Sequence, residues 1–194
     1  MTRPVLIVHG IWDSRARMRD LEQGLIARGF PHARAFDMKP NDGRAPLKAL
    51  AAQAKRHADA LLEEHGGPID VVGFSMGALI SRYYLQRLGG KANVRRFISV
   101  SGPHRGTLAA YALPLPGLRD MRPGSALLRD LEADPDAFGE VEVHCLYTPY
   151  DLMIVPATSS VLPGARSVQR IELPIHRMMI TQRAALDAIA SVLR

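Results

Sequence analysis

A serine flanked by two glycines is the most reactive feature of this sequence. Residues 73 to 77 read Gly-Phe-Ser-Met-Gly, after a mostly apolar stretch typical of a buried strand and before a stretch with helical periodicity. Gly-x-Ser-x-Gly between a strand and a helix is typical of a sharp turn that exposes the serine hydroxyl, because the glycines allow close backbone contacts. Ser75 is therefore predicted to be a nucleophile. The alternative is that it only caps the helix that follows.

A serine nucleophile needs a base within hydrogen-bond reach, and on a strand-turn-helix framework the order along the chain is serine, acid, histidine. Three histidines follow Ser75, namely His104, His144 and His176. His176 comes after the last strand pattern and before the last helical one, so it is the best candidate for the base. His144 lies inside a strand pattern. His104 lies in the loop after the fourth strand, where it is a candidate for contacting substrate.

An acid is also needed, to fix the imidazole tautomer and to stabilise the imidazolium. Asp151 follows the fifth strand pattern directly and precedes His176 in the chain. Asp134 and Asp136 lie in an acidic stretch before that strand and are expected at the opposite edge of the sheet. Asp151 is the predicted acid, with a turn cap as the alternative.

Two backbone amides are predicted to form an oxyanion hole. One is the amide of Met76, directly after the serine. The other is the amide of Ile11, since Gly10 lets the chain turn after the first strand pattern. His9 is expected to shape this loop by hydrogen bonding rather than to take part in catalysis. Trp12 is expected to line the acyl pocket, with covering the core as the alternative.

Apolar side chains in two later loops are further candidates for contacting substrate. Leu108 begins an apolar, proline-containing stretch within residues 106–124, which is predicted to be a small lid or a wall of the pocket. A surface crossover that packs on the body is the alternative. Leu152 follows the predicted acid. Together with Trp12 and His104, these two leucines are the predicted substrate-binding residues.

Alternating patterns predict the fold that must position these residues. Strand patterns cover residues 5–8, 33–36, 69–73, 96–100, 143–147 and 168–173, and helical patterns cover residues 17–28, 45–65, 76–88, 126–131 and 177–193. Short apolar strands separated by helices predict an α/β fold with a doubly wound, mostly parallel sheet of six strands. Ligands of such sheets bind outside the carboxyl ends of the strands, where all of the candidate residues lie. A single domain is expected over residues 1–194.

The composition restricts the class of protein. The 194 residues are 47% hydrophobic and 23% charged, with a formal net charge of +6, as in soluble globular proteins. Arginines are scattered and not interleaved with aromatic residues, so we expect no nucleic-acid partner. Cys145 is the one cysteine and is expected to be a buried strand residue. With neither a signal-peptide pattern nor a long apolar run, the chain is expected to be cytoplasmic.

Five motifs in order resemble the α/β-hydrolases, and within them the small bacterial lipases and esterases of the class 2, alpha/beta-fold triacylglycerol lipase group. The motifs are "VLIVHGIW", "IDVVGFSMG", "VRRFISVSGPHRGT", "YTPYDLMIVP" and "LPIHRMMI". The resemblance implies a serine esterase with Ser75, Asp151 and His176 as its triad and the Ile11 and Met76 amides as its oxyanion hole. It also implies a sheet without the first two strands of larger hydrolases, and no large cap domain.

These observations predict a hydrolase that cleaves carboxylic esters with hydrophobic acyl groups through an acyl-enzyme. No metal or organic cofactor is required for that chemistry. The expected partners are a small-molecule or lipid ester and, transiently, a lipid surface, and the expected state is a monomer or a weak homo-oligomer. An acyltransferase or amidase with the same triad, or a non-catalytic binding protein on the hydrolase fold, are the alternatives.

Overall fold

One parallel sheet forms the centre of the molecule. A computed structural model describes residues 2–134 and 136–194. Its strands are β1 (Val5–Val8), β2 (Ala33–Ala35), β3 (Ile69–Phe74), β4 (Val94–Val100), β5 (Glu142–Tyr147) and β6 (Ser167–Arg170). Their order is β2-β1-β3-β4-β5-β6, and every neighbouring pair is parallel. The predicted α/β fold with six strands is confirmed, and the chain reverses its direction across the sheet between β1 and β3.

Helices cover both faces of the sheet, which explains why the strands are apolar on both sides. They are α1 (Arg19–Ile26), α2 (Leu47–His65), α3 (Met76–Arg87), α4 (Pro116–Asp120), α5 (Ala126–Glu132) and α6 (Arg183–Leu193). Buried side chains of α2, α3 and α5 share one apolar cluster with one face of the sheet. Buried side chains of α1 and α6 share a second cluster with the other face.

Alternation along each strand divides its side chains between these two clusters. In β1, Leu6 belongs to the α2 and α3 side, whereas Ile7 belongs to the α1 and α6 side. In β3, Val71 and Val72 divide in the same way. Successive side chains of a strand point to opposite faces. The strand ends are therefore fixed by two packed layers, and the loops after them are held in place from both sides.

The last helix begins later than its apolar pattern predicts. The pattern starts at residue 177, but His176–Ile180 form a 3-10 turn and α6 begins at Arg183. Thr181 and Gln182 separate the two, and Gln182 has an extended backbone at φ −84° and ψ 143° that does not fit a helix interior. The apolar residues Met179 and Ile180 are buried in the turn, which is why the periodicity runs through it without a break.

The irregular segment at residues 106–124 packs beside the carboxyl edge of the sheet. It contains a 3-10 turn at Leu108–Tyr111 and the short helix α4. Leu118 of α4 is buried and belongs to the cluster on the α2 and α3 side. The described residues contain no large cap domain. Among all the described residues, no helix is both long enough and apolar enough to cross a bilayer.

Candidate active site

The serine lies in a strained turn between β3 and α3. Its backbone has φ 56° and ψ −126°, a combination that residues other than glycine rarely adopt. Ser75 N donates to Val100 O of the neighbouring strand at 2.9 Å, which holds the turn against the sheet. The residue is 7% exposed. Strain of this kind persists only where the surrounding structure imposes it, and it is common at functional sites.

Gly73 and Gly77 are required by close backbone contacts. A Cβ on Gly77 would lie 2.1 Å from Val8 O, and a Cβ on Gly73 would lie 2.6 Å from Ala78 Cα. Neither neighbour is a flexible side chain, so no other residue fits without a shift of the backbone. The two glycines bring the start of α3 onto the end of β1, next to the loop that carries Ile11.

His176 and Asp151 are hydrogen-bonded to each other. His176 Nδ1 lies 2.6 Å from Asp151 Oδ2. The other carboxylate oxygen, Oδ1, accepts from the backbone amides of Met153 and Ile154, each at 2.9 Å. With one oxygen held by two amides, the other must face the imidazole. The chain after β5 thus aims the acid, and the 3-10 turn after β6 presents the histidine.

His176 also lies close to the turn that carries the serine. Its ring packs against Phe74, the residue before Ser75, with 4.7 Å between the ring centroids. In the described residues, Ser75 Oγ and His176 are not hydrogen-bonded. Such contacts are often long before substrate binds. The pairing of this base with this nucleophile therefore stays a prediction.

Two backbone amides close to Ser75 have no partner among the residues that the structure describes. Within the part of the chain that the structure describes, neither Ile11 N nor Met76 N donates a hydrogen bond. Met76 is the first residue of α3, whose amino end favours negative charge. A Cβ on Gly10 would lie 3.0 Å from the Cβ of Ser75, so the loop that carries Ile11 runs directly beside the serine. These amides are available to an oxyanion, which is the role predicted for them.

His9 stabilises the loop that carries Ile11 through hydrogen bonds of its ring. Its Nε2 accepts from Met38 N at 3.0 Å, which leaves Nδ1 to donate to Gly10 O at 2.8 Å. Burial lowers the pKa of His9, against the smaller opposing effect of the Gly10 carbonyl. A neutral ring is needed here because only a neutral imidazole can accept at one nitrogen and donate at the other.

An apolar cleft opens over Ser75. Its lining is mostly hydrophobic and comes from the segments after β1, β3, β4 and β5 and from α4 and the residue after it: Ile11, Trp12, Ser75, Thr107, Ala109, Ala110, Leu118, Met121, Met153 and Ile154. Trp12 lies where a substrate-binding residue is expected. Leu108 and Leu152 do not line the cleft; they are 56% and 83% exposed and point to solvent. Their neighbours, Ala109 and Met153, line it instead.

His104 lies in a different place from the one expected. It is fully buried, and its Nε2 lies 2.6 Å from Ser99 Oγ of β4. Its carbonyl accepts from Arg82 Nη1 of α3. Burial, with a smaller effect of Arg82, lowers the pKa of His104 well below its ordinary value. The prediction that His104 contacts substrate is corrected: a neutral ring packed between β4 and α3 supports the sheet and is separated from the cleft.

Thr107 is a cleft residue that the sequence does not single out. Its Oγ1 donates to Met153 O at 2.9 Å and accepts from Val155 N at 2.8 Å. These bonds tie the segment after β4 to the loop that carries Asp151. A threonine forty-six residues away from its partner in the sequence leaves no local signal. Only the sheet order brings the two loops together.

Solved structures of two lipases share this fold. The mature form of the Bacillus licheniformis lipase BlEst2 has a TM-score of 0.84 at 16% identity, covering 99% of this chain and 92% of that one. Aspergillus fumigatus lipase B has a TM-score of 0.83 at 15% identity, and the match covers 99% of this chain and 52% of the lipase B chain. At this identity the likeness concerns the fold alone, and it confirms the resemblance to α/β-hydrolases.

Sequence comparison gives the family. The lysosomal thioesterase PPT2 of Rattus norvegicus is 30% identical over 107 residues, which are 54% of this chain and 35% of that protein. The match thus spans about a third of that relative's length. The model of the palmitoyl protein thioesterase family matches residues 4–150, which include the Ile11 loop and the Ser75 turn and end just before Asp151. With most of its residues matched, the chain belongs to the palmitoyl protein thioesterase family.

Proposed function

We propose that this protein hydrolyses acyl esters, thioesters among them, through Ser75, His176 and Asp151. The observation that carries the proposal is the strained turn that holds Ser75 in an apolar cleft, beside two amides that have no hydrogen-bond partner among the described residues. The hydrogen bond between His176 and Asp151 at the same edge of the sheet supports the assignment of base and acid. Membership of a thioesterase family and the lipase fold support hydrolase activity.

The proposed reaction passes through an acyl-enzyme. His176 Nε2 takes the hydroxyl proton as Ser75 Oγ attacks the acyl carbonyl, and the Ile11 and Met76 amides donate to the oxyanion. The bond to the leaving group then breaks, and His176 gives the proton to the leaving oxygen or sulfur. Water next loses a proton to His176 and attacks the acyl-serine, and the collapse returns the proton to Oγ and releases the carboxylic acid.

The same site suits both oxygen esters and thioesters, but the leaving groups differ. A thiol has a pKa of about 8.5, far below that of an alcohol, so a thiolate leaves with less help from a general acid. We therefore expect a thioester to be cleaved at least as fast as the oxygen ester with the same acyl chain. The apolar lining of the cleft favours a long chain in both cases.

A matched substrate panel tests the function. We expect kcat/KM for S-acyl and O-acyl pairs from acetyl to palmitoyl to rise by about fourfold for each methylene that the cleft buries, since burial of one CH₂ is worth about 0.8 kcal/mol. A fluorophosphonate should label Ser75, as located by peptide mass spectrometry. If the protein shows no turnover and forms no adduct, a binding protein is favoured. Turnover of amides, or transfer to added alcohols, would favour the amidase or the acyltransferase.

Most of the exposed large hydrophobic side chains lie in the connections that follow the strands at the carboxyl edge of the sheet, where the cleft opens. We name them the apolar rim; they follow β1, β4, β5 and β6 at the carboxyl edge of the sheet: Trp12, Leu108, Tyr111, Leu113, Tyr150, Leu152, Met153 and Ile175. Exposed apolar patches of this kind mark interaction sites. We propose that the rim contacts the aggregated lipid in which long-chain acyl substrates are held.

Leu152 is the best position to test the rim, since its side chain is 83% exposed. We expect Leu152→Ser to weaken binding to phosphatidylcholine and phosphatidylglycerol vesicles about tenfold, in line with the 1.5 to 3 kcal/mol that burial of a leucine contributes. Vesicle sedimentation measures this directly. Val168→Ser is the matched control, because Val168 is exposed on β6 outside the rim. Turnover of a monomeric acetyl ester should be the same in Leu152→Ser as in the wild type. Equal vesicle binding by Leu152→Ser and Val168→Ser would contradict the role of the rim.

A further inference from the structure

An ion pair joins two loops that follow different strands at the carboxyl edge of the sheet. Arg177, the residue after His176, donates from Nη1 to Asp13 Oδ1 at 2.9 Å. Asp13 comes two residues after Ile11, in the loop after β1. Its side chain is only 8% exposed, against 35% for that of Arg177. A charge pair in such a place is screened by salt far less than an exposed pair.

Further hydrogen bonds make this ion pair the centre of a small network. Arg177 Nη2 donates to Arg17 O at 2.6 Å, so the guanidinium binds by both of its ends. The carbonyl of Asp13 accepts from Asn41 Nδ2, and Trp12 N donates to Asn41 O at 2.9 Å. The network therefore holds Trp12 and Asp13 on one side and the histidine turn on the other.

The loop after β1, which this network holds in place, has no regular secondary structure. Residues 9–15 contain neither helix nor strand, and Trp12 has a φ of 56°. Asp13 Oδ2 reaches back toward Gly10, lying 3.3 Å from where a Cβ on that residue would be. An oxyanion donor must be placed to within about 0.5 Å to stabilise a transition state. Contacts from outside the loop are therefore needed to hold the Ile11 amide in the position in which it can donate to an oxyanion.

We infer that Asp13 and Arg177 are positioning residues that fix the Ile11 amide relative to His176. The inference rests on the proposed function of those two groups. Neither residue lines the cleft, so the ion pair acts through the loops and not on the substrate. It connects the donor that stabilises the oxyanion to the base that moves the proton, two groups that must keep one geometry throughout the reaction.

Arg17 supplies a control within the same network. Its Nε donates to the same carboxylate oxygen, Asp13 Oδ1, at 2.9 Å. Arg17 lies only four residues further along the chain, however, and among the described residues its side chain makes no hydrogen bond or ion pair with the histidine turn. Arg17→Gln removes one positive charge from Asp13 but keeps the link between the loops, because Arg177 contacts the backbone carbonyl of Arg17. Arg177→Gln removes the link and keeps the local partner.

The test compares Arg177→Gln, Asp13→Asn and Arg17→Gln on the substrate that the wild type cleaves best. We expect kcat to fall by about tenfold in the first two variants with KM changed less than about twofold, because a misplaced donor weakens the transition state and leaves ground-state binding in place. Arg17→Gln should keep the kcat of the wild type, and Arg177→Lys should recover part of the loss. The double variant Asp13→Asn/Arg177→Gln should lose no more than the worse single variant.

A second readout follows the loop without catalysis. Trp12 is the one tryptophan in the sequence, so its quenching by acrylamide reports the order of this loop. Quenching should increase in Arg177→Gln and Asp13→Asn and stay unchanged in Arg17→Gln, all at similar Tm. An Arg177→Gln variant with wild-type kcat and quenching, or equal losses in Arg17→Gln, would overturn the inference. If the wild type cleaves no ester at all, the proposed function fails, and the quenching alone decides whether the ion pair orders the loop.

Discussion

Replacement of Ser75 by alanine is expected to abolish turnover of every acyl ester that the wild type cleaves. In the proposed reaction, Oγ forms the covalent bond to the acyl group, and loss of the nucleophile from a serine triad lowers kcat by about a millionfold. The variant removes one oxygen atom that makes no hydrogen bond within the described residues, so the fold should keep its stability. Turnover of the best substrate is measured beside thermal unfolding.

Ser101 provides a matched control for that experiment. It directly follows β4, next to β3 in the sheet, and has a similarly strained φ of 49°. Its side chain is also buried, and its Oγ has no partner among the described residues. Ser101→Ala thus makes the same chemical change at the end of the neighbouring strand, and we expect it to retain kcat. If Ser75→Ala keeps activity and Ser101→Ala loses it, Ser75 is not the nucleophile and the proposal is wrong.

Asp151→Asn is expected to lower kcat by about four orders of magnitude, as it does in other serine triads. The backbone amides of Met153 and Ile154 both donate to Oδ1, so the carbonyl oxygen of the new asparagine must take that place. Its NH₂ group then faces His176 Nδ1 and can only donate to it. The imidazole is left with its proton on Nε2, where it cannot accept the proton of Ser75. The substitution is isosteric, so this effect is separated from any loss of stability.

Asp120→Asn is the control for the change of charge. Asp120 also accepts a backbone amide, from Leu47 N at 2.8 Å, and among the described residues it makes no hydrogen bond to a histidine. We expect it to keep the kcat of the wild type. The decisive comparison is kcat for the two asparagine variants on one substrate at equal Tm. Similar values for both would exclude Asp151 as the acid.

The Ser75 turn could be predicted because its signal is local. Five consecutive residues between a strand pattern and a helical pattern contain the whole motif, and the packing of Gly73 and Gly77 requires it. Asp151 and His176 could be proposed because the order of elements along the chain places both after strands at one edge of the sheet. Secondary structure and chain order carry that information, and both follow from apolar periodicity.

Side-chain direction inside loops could not be predicted in the same way. Leu108 and Leu152 lie in the right loops, but without a repeating backbone no period tells which neighbour faces the cleft. His104 is buried by contacts with β4 and α3 that form only after the sheet assembles. The pair of Asp13 and Arg177 joins residues 164 positions apart and leaves no pattern in the sequence. The cytoplasmic location and the oligomeric state stay predictions.

The parallel order of the sheet has a consequence for how activity arises during folding. The proposed nucleophile follows β3, the proposed acid follows β5 and the proposed base follows β6, the edge strand nearest the carboxyl end of the chain. Parallel pairs need long crossovers, and contacts between distant residues form slowly because the loop between them must close first. No contiguous part of the chain can assemble these three groups before β6 has paired. If hydrolysis proceeds as proposed, a growing or partly folded chain is thus unable to attack acyl groups in its surroundings, and turnover begins only once the sheet has paired from β3 to β6.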